Sequence, residues 1–96
     1  MQSEKKISVI INCLNGKKYL RKCIESVLNQ NYQNLEIIFW DNNSSDNSIE
    51  VVKEFKDERI KLYRSTKTEK LYDVRNKAIY MSSGELISFL DCDDWW

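Results

Sequence analysis

Apolar residues along this chain follow two spacings in turn, and these predict strands and helices. Short apolar runs bounded by turn residues are typical of buried strands. The predicted strands are Ile7–Ile11, Leu35–Trp40, Ile60–Arg64 and Leu86–Leu90. Between them, apolar residues recur every three or four positions, as they do on one face of an amphipathic helix. The predicted helices run from Lys18 to about Asn29, from a cap at Ser45 or Asp46 to about Lys56–Asp57, and from Leu71 to Met81.

The predicted order is strand, helix, strand, helix, strand, helix, strand. Such alternation with short connections indicates an α/β layered fold with a mostly parallel sheet, right-handed crossovers and helices on both faces. The run Ile60–Arg64 is short and alternates in polarity, so we expect it at an edge of the sheet. The run Leu86–Leu90 is expected to be buried. In sheets of this kind, ligands bind beyond the carboxyl ends of the strands.

Polar residues gather after three of the predicted strands, in the segments Asn12–Asn15, Asp41–Ser44 and Asp91–Asp94. The last segment contains three carboxylates, which repel one another unless a cation or hydrogen-bond donors share them. Oxygen ligands of this kind suit Mg²⁺ or Mn²⁺, which take further ligands from water and from the phosphates of a substrate. A polar turn is the alternative interpretation of the acidic segment alone. Three polar strand ends at one rim favour a binding site.

Composition narrows the class of protein further. Ninety-six residues fit one small domain, and a formal net charge of zero argues against a nucleic-acid partner. The three cysteines lack the spacing of a metal finger, and without a secretion signal we expect reduced thiols in the cytoplasm. No apolar run is long enough to span a membrane. Because Trp95 and Trp96 are poorly suited to exposure, we expect the chain to be the first part of something longer.

The sequence lacks the usual glycine-rich phosphate loops. Neither GxGxxG nor GxxxxGK[ST] is present, and the chain has only two glycines. A dinucleotide-dependent dehydrogenase or a P-loop NTPase is therefore disfavoured. There is also no histidine or serine elbow to suggest covalent hydrolysis. Phosphate charge would have to be met by a metal ion and by side chains.

Several segments together resemble glycosyltransferase family 2, a large family of inverting enzymes. In order along the chain they are Ser8–Asn15, Tyr19–Gln30, Leu35–Asp46, Val74–Asn76 and Gly84–Trp95. The resemblance covers nearly the whole chain after Lys6. It implies the GT-A fold, a Rossmann-like three-layer α/β/α arrangement with a mostly parallel sheet. Residues 1–96 would form its N-terminal nucleotide-binding part, truncated after the strand that carries the Asp-x-Asp motif, with the acceptor half missing.

The resemblance also implies roles for particular residues. Asp41 matches the acidic residue that accepts a hydrogen bond from the base, usually uracil. Asp93 matches the metal ligand of the Asp-x-Asp motif, for Mn²⁺ or Mg²⁺, and Asp91 matches the first Asp of that motif, near the ribose. Arg75 matches an arginine facing the nucleotide pocket, and a solvated helix residue is the alternative. The other implied nucleotide-sugar contacts are Cys13, Leu14, Asn15 and Asn43.

The implied activity is metal-dependent transfer of a sugar, with inversion, from a nucleoside-diphosphate sugar, here a UDP-sugar, to a glycan or lipid-linked acceptor, as in polysaccharide biosynthesis. The general base that such a transfer needs lies beyond the Asp-x-Asp motif in this family, so we expect the chain alone to be inactive. We expect a cytoplasmic location, with peripheral membrane attachment left open. The alternative is a truncated, non-catalytic nucleotide-binding or self-association module. A bare last strand predicts a homodimer of this chain.

Some positions depart from the family pattern or have a plainer interpretation. Asn12-Cys13-Leu14 replaces the usual Pro-Thr-Tyr, which removes a tyrosine that would stack on the base, and Asn42-Asn43 replaces Asp-Gly. Cys92 stands between two carboxylates, which suggests zinc, but neighbouring side chains of an extended segment point to opposite faces. We therefore expect Cys92 to face away from them into the protein. Asp46 is expected to cap a helix rather than to contact a ligand.

Overall fold

The computed structural model describes residues 5–96, which form seven elements in the predicted order. They are β1 (Ile7–Cys13), α1 (Lys17–Leu28), β2 (Leu35–Asp41), α2 (Ser48–Lys53), β3 (Ile60–Arg64), α3 (Leu71–Met81) and β4 (Leu86–Asp91). The bounds of β3 and α3 are as predicted, whereas β1 and β2 continue into the polar residues that follow their apolar runs. Helix α2 ends earlier than predicted, because the N–H groups of Glu54 and Phe55 bond to the carbonyls of Val51 and Val52 and tighten the last turn.

The four strands described form one parallel sheet in the order β3-β2-β1-β4. Both the parallel arrangement and the edge position of β3 are therefore confirmed. In the central strand β1, Ile10 lies between Ile38 of β2 and Phe89 of β4. The same register places Asn12 between Trp40 and Asp91. The carboxyl ends of β1, β2 and β4 consequently lie side by side at one rim of the sheet.

Helices cover both faces of the sheet, which confirms the layered prediction. On one face the core joins β1 and β2 to α1 and α2, and its fully buried members include Val9, Ile11, Leu20, Ile24, Val27, Ile37 and Phe39. On the other face, Ile10 and Ile38 pack against Ala78 of α3. Trp40 and Tyr63 stack beside that cluster with ring centroids 5.1 Å apart. The alternation of side chains along β1 and β2 sends successive apolar residues into these two layers.

Strand β4 is largely exposed, as expected for a bare last strand, although its apolar run taken alone is typical of a buried strand. Leu86, Ile87 and Phe89 are 49%, 40% and 46% exposed, whereas Leu90 is buried. Within residues 5–96, β4 has only β1 as a neighbour and lies at the edge of the sheet. An apolar run indicates a strand, but its burial depends on its neighbours in the sheet, which the run itself does not specify.

A buried carboxylate holds the opposite end of the sheet together. Oε2 of Glu36 accepts hydrogen bonds from Oγ of Ser8 and N of Ser83, both at 2.6 Å, and Nζ of Lys6 lies 3.6 Å from Oε1. Oγ of Ser8 in turn accepts from N of Gly84 at 2.8 Å. Burial alone would raise the pKa of Glu36, but the bonds from Ser8 and Ser83 and the charge of Lys6 outweigh it and lower the pKa. This cluster fixes the connection between α3 and β4 against β1 and β2.

Candidate functional site

The acidic segment forms a tight loop at the carboxyl end of β4, and we call residues 91–94 the acidic loop. Its turn is closed by N of Asp94, which donates to O of Asp91 at 2.9 Å. Carboxylate oxygens of Asp91, Asp93 and Asp94 lie within 4.8 Å of one another, and all three residues are exposed. Three hard oxygen donors open to water and to a substrate phosphate suit Mg²⁺ or Mn²⁺. The donor set therefore fits the metal that the sequence implies.

A cleft of about 450 Å³ opens beside the acidic loop, and we call it the rim cleft. The loop between β1 and α1 forms its other wall. Its lining residues are Asn12, Leu14, Asn15, Gly16, Lys18, Tyr19, Asp91, Cys92 and Asp93. Of the residues implied by the resemblance, the cleft therefore brings together Leu14, Asn15, Asp91 and Asp93. Cys13, Asp41, Asn43 and Arg75 lie around it without lining it.

Asp41 ends β2 and is completely buried. Its Oδ2 accepts a hydrogen bond from N of Ser44 at 2.9 Å and lies 3.7 Å from Nε of Arg64. Its Oδ1 is also buried and has no hydrogen-bond partner. An unpaired buried acceptor costs free energy unless a ligand or water completes it. This oxygen is thus available to a donor group that enters from the rim.

Two asparagines shape the loops of the rim. Backbone N of Asn15 donates to Oγ of Ser44, and Oδ1 of Asn15 accepts from N of Ser45, both at 2.8 Å, so this residue ties the loop after β1 to the loop after β2. Asn15 and Asn43 have φ angles of 55° and 62°, in the left-handed region that asparagine tolerates better than most residues. Asn43 stands where the family pattern has glycine, and its positive φ explains why only these small, permissive residues suit the position.

Asp46 satisfies the free N–H groups at the starts of two helices. It accepts hydrogen bonds from N of Lys17 at 3.0 Å and from N of Ser48 at 3.1 Å. The prediction that Asp46 caps a helix is confirmed, although the residue immediately before α2 is Asn47, which makes no side-chain cap bond. Because Lys17 and Ser48 begin α1 and α2, one carboxylate fixes both helices to the rim.

Arg75 reaches the rim from α3. Its Nη2 lies 3.8 Å from Oδ1 of Asp91, and its guanidinium carbon lies 5.2 Å from the ring centre of Phe89. Nε of Arg75 is buried without a hydrogen-bond partner. The side chain is therefore directed at the acidic loop rather than solely into solvent. Its role in a nucleotide pocket, which the resemblance implies, stays a prediction, since Arg75 does not line the rim cleft.

Asn12 is a candidate contact that the sequence interpretation did not include among the site residues. It lines the rim cleft, pairs with Asp91 across neighbouring strands, and has a buried Oδ1 without a hydrogen-bond partner. Only the pairing of β1 with β4 reveals this neighbour, because the two residues are far apart in sequence. The one available signal in the sequence was that Asn12 is a polar residue directly after an apolar run.

The three cysteines lie behind the acidic loop. Cys13 and Cys23 are buried, and Cys92 is half-buried and packs against the core, as predicted for a side chain that faces away from the carboxylates. A hydrogen bond with Cys92 lowers the pKa of Cys13 to about 7 despite burial, and the same bond, together with burial, raises the pKa of Cys92. Burial raises the pKa of Cys23 to about 12. The Cys13 side chain thus points into the core, and its carbonyl accepts from N of Asn42 at 2.7 Å.

A parallel sheet with helices on both faces, and with an acidic cluster beside a cleft at its carboxyl rim, defines a nucleotide-binding type of α/β domain. The family model described as Glycosyl transferase family 2 matches residues 8–96. The chain belongs to this family, and the resemblance noted from its motifs is confirmed.

Two relatives and one solved structure illustrate the similarity. Glycosyltransferase GlyA of Streptococcus pneumoniae serotype 4 is 40% identical over 97 residues, which cover 99% of this chain and 14% of GlyA. WfaP of Escherichia coli, a UDP-Glc:alpha-D-GlcNAc-diphosphoundecaprenol beta-1,3-glucosyltransferase, is 36% identical over 90 residues, which cover 94% of this chain and 36% of WfaP. The crystal structure of S. aureus TarS 1-349 in complex with UDP-GlcNAc aligns with a TM-score of 0.86 and 25% identity, covering 94% of this chain and 27% of TarS 1-349.

These comparisons confirm the GT-A fold. The chain spans only 14% and 36% of the lengths of GlyA and WfaP. Among residues 5–96, no helix combines the length and apolar character needed to cross a membrane.

Proposed function

We propose that this chain is the nucleotide-sugar-binding part of a metal-dependent, inverting glycosyltransferase whose donor is a UDP-sugar. The observation that carries the proposal is the acidic loop, which holds three exposed carboxylates within 4.8 Å of one another at the edge of the rim cleft. Membership of glycosyltransferase family 2 supports the reaction class. The UDP-Glc donor in the name of WfaP and the UDP-GlcNAc complex of TarS support a uridine nucleotide.

In this proposal Asp93 is the main metal ligand, with Asp91 and Asp94 beside it, and the ion is Mn²⁺ or Mg²⁺. When bound, the ion stabilises the negative charge that develops on the departing diphosphate. Asp91 also orients the ribose, and Arg75 holds Asp91 in place through its guanidinium group.

The remaining contacts to the donor come from the ends of β1 and β2. Oδ1 of Asp41 accepts the N–H of the base, while Leu14 and Asn15 form the wall of the cleft against the nucleoside. Cys13 and Asn43 act through the backbone shape that they give to their loops, since the Cys13 side chain is in the core and Asn43 has a positive φ. Lys18 also lines the cleft and adds a positive charge on the side facing the diphosphate.

We further propose that the acceptor is a glycan or a lipid-linked sugar and that the protein works in the cytoplasm, peripherally at the membrane. The diphosphoundecaprenol acceptor in the name of WfaP supports a lipid-linked acceptor. The catalytic base of the family lies beyond the Asp-x-Asp motif, so residues 1–96 should bind a donor without transferring its sugar. Sugar transfer by the isolated chain would contradict this last point.

Calorimetric titration with UDP tests the nucleotide and metal assignments together. We expect UDP to bind at least tenfold more tightly with Mn²⁺ than without it, because the phosphates complete the coordination shell of the ion. Asp93→Ala should lose this enhancement. Glu85→Ala is a matched control, because Glu85 is an exposed carboxylate at the opposite end of the same strand region. Equal UDP affinity with and without Mn²⁺ in the unsubstituted protein and in both variants would refute the assignment.

The exposed edge strand supports a second property, a homodimer of this chain. Leu86, Ile87 and Phe89 place three large apolar side chains on β4, whose outer backbone edge has no partner strand among residues 5–96. Bare edges of this kind pair with other chains, most simply across a two-fold axis. Sedimentation velocity at micromolar concentration should therefore give a dimer, and Ile87→Lys should give a monomer. A monomer at all concentrations for the unsubstituted chain would refute the dimer.

A further inference from the structure

Two cysteine sulfurs share one small space beneath the acidic loop. Asn12 pairs with Asp91 across β1 and β4, so the next residues, Cys13 and Cys92, are also neighbours. A Cβ added at Gly16 would overlap the sulfur of Cys92 and lie 3.0 Å from the sulfur of Cys13. The absence of a side chain at Gly16 is therefore what leaves room for both sulfurs.

This arrangement places two thiols against one shared point. Cys13 is the last residue of β1, and Cys92 directly follows the last residue of the neighbouring strand β4. Disulfides join residues with Cα atoms about 4.4–6.8 Å apart. The third cysteine is differently engaged, because Sγ of Cys23 lies 3.5 Å from the carbonyl oxygen of Asp91 and donates to it. Cys13 and Cys92 are thus the pair that is placed for bond formation.

The rim cleft gives a small oxidant a route to this pair of thiols. Cys92 is half-buried and borders the rim cleft, whereas Cys13 is 1% exposed.

We propose that Cys13 and Cys92 form a reversible disulfide that displaces the acidic loop and so weakens the metal and nucleotide site. With a peroxide as oxidant, the sulfur of one cysteine of the pair attacks a peroxide oxygen, which gives a sulfenic acid and water. The sulfur of the other cysteine then attacks the sulfenic sulfur, the S–S bond forms, and a second water leaves. Overall the two thiols give up two electrons and two protons, and the peroxide is reduced to two water molecules.

The displacement follows from the length of the new bond. An S–S bond is about 2.05 Å long, much shorter than a hydrogen-bond contact between two thiols, so its formation pulls Cys92 toward β1. Because Cys92 lies between Asp91 and Asp93, both carboxylates move with it. Ligand distances in metal sites lie within about 0.2 Å of their standard values, so a displaced carboxylate is a poorer ligand. The effect on metal binding rests on the function proposed above, whereas the disulfide itself does not.

Peptide mapping of the 96-residue chain tests the disulfide directly. Trypsin places the three cysteines on separate peptides, residues 7–17, 23–53 and 78–96. After treatment with hydrogen peroxide and blocking of free thiols, we expect peptides 7–17 and 78–96 to be linked, with the loss of two hydrogens, and dithiothreitol to release them. A link to peptide 23–53 instead, or oxidised cysteines without any link, would overturn the proposal.

Two variants test whether disulfide formation depends on the placement of the two sulfurs or only on the presence of thiols. Gly16→Ala keeps all three thiols but forces the Cys92 sulfur out of its place, so the linked product should fall at least tenfold. Cys23→Ala keeps the pair and should form the link as the unsubstituted protein does. Equal yields for Gly16→Ala and the unsubstituted protein would overturn the proposed arrangement.

Two measurements test the effect on the acidic loop. Hydrogen exchange at the backbone of residues 91–94 should be faster in the oxidised protein, because displacement of Cys92 breaks the bond from N of Asp94 to O of Asp91. Unchanged exchange would overturn the displacement.

UDP affinity in Mn²⁺ should fall at least tenfold on oxidation and return on reduction, and in Cys92→Ala it should be insensitive to peroxide. Equal affinity of the linked and the reduced protein would overturn the coupling between the disulfide and the site. If the reduced protein binds no UDP, the proposed function fails, and peptide mapping with hydrogen exchange still decides the disulfide and its displacement of the loop.

Discussion

Replacement of Glu36 by glutamine preserves the shape of the side chain, yet it should destabilise this domain strongly. The carboxylate accepts from Oγ of Ser8 and N of Ser83 at 2.6 Å, inside the protein. A hydrogen bond to a charged group contributes about 1 kcal/mol more than a bond between neutral groups. Two such bonds give a loss of about 2 kcal/mol in the free energy of unfolding. For a domain of this size, each kcal/mol lowers Tm by about 4–8 °C, so Tm should fall by about 8–16 °C.

The pH dependence of this effect has a definite sign. The pKa of Glu36 is lowered in the folded protein, so the folded state favours the charged carboxylate. The stabilisation is therefore fully present above the ordinary glutamate pKa and is lost as the pH falls through the folded value. The difference in Tm between the unsubstituted protein and Glu36→Gln should be largest near pH 7 and should shrink on acidification below pH 4.5.

Thermal unfolding followed by circular dichroism between pH 3 and pH 7 measures the loss in Tm and its dependence on pH. Glu85→Gln is the matched control, since Glu85 is exposed at the same end of the sheet, and its Tm should follow that of the unsubstituted protein at every pH. Equal Tm values for Glu36→Gln and the unsubstituted protein at pH 7 would refute the reasoning. A difference that grows toward low pH would refute it as well.

Two further substitutions test the rim. Asp41→Ala removes the buried acceptor proposed for the base and should cost about 1–3 kcal/mol of UDP binding, measured by calorimetry; tenfold tighter binding of GDP or dTDP than of UDP would contradict a uridine site. Asp46→Ala frees the N–H groups of Lys17 and Ser48 and should lower the free energy of unfolding in urea by about 1–2 kcal/mol. The exposed control Thr66→Ala should change it by less than about 0.5 kcal/mol, and equal effects of these two variants would contradict the capping role.

The order of elements was predictable because it depends on local patterns. Leu20, Cys23, Ile24 and Val27, all buried on α1, follow the helical spacing that the sequence displays. The ends of β1 and β2 were less clear. Cys13 follows the polar residue Asn12 and Asp41 follows the apolar residue Trp40, yet both belong to their strands and pair with each other in register. A polar residue after an apolar run has the same appearance whether it continues the strand or begins a loop. Pairing with a neighbouring strand decides between these two, and it is not a local property.

Features that depend on strand order were out of reach of the sequence. The closeness of Cys13 to Cys92 and the cluster around Glu36 both require that β4 lies next to β1. Nothing in an apolar run states which strand will be its neighbour. The motif resemblance implied Asp91 and Asp93 of the acidic loop, and the structure brings their oxygens together with those of Asp94. It did not single out Asn12.

Unpaired polar atoms give an argument for a ligand site that is independent of any relative. Within residues 5–96, three buried side-chain polar atoms have no hydrogen-bond partner: Oδ1 of Asn12, Oδ1 of Asp41 and Nε of Arg75. Each such atom costs about 1–3 kcal/mol unless it is completed from outside. Asn12 and Asp41 end neighbouring strands, and Arg75 lies beside Asp91 on the next strand, so all three belong to one rim. Two acceptors and one donor are thus left without partners at the edge that also carries the acidic loop. They match a ligand that has both N–H groups and oxygens, as a nucleotide has. The unsatisfied polar groups and the acidic loop are independent observations, and both lie at this edge of the sheet.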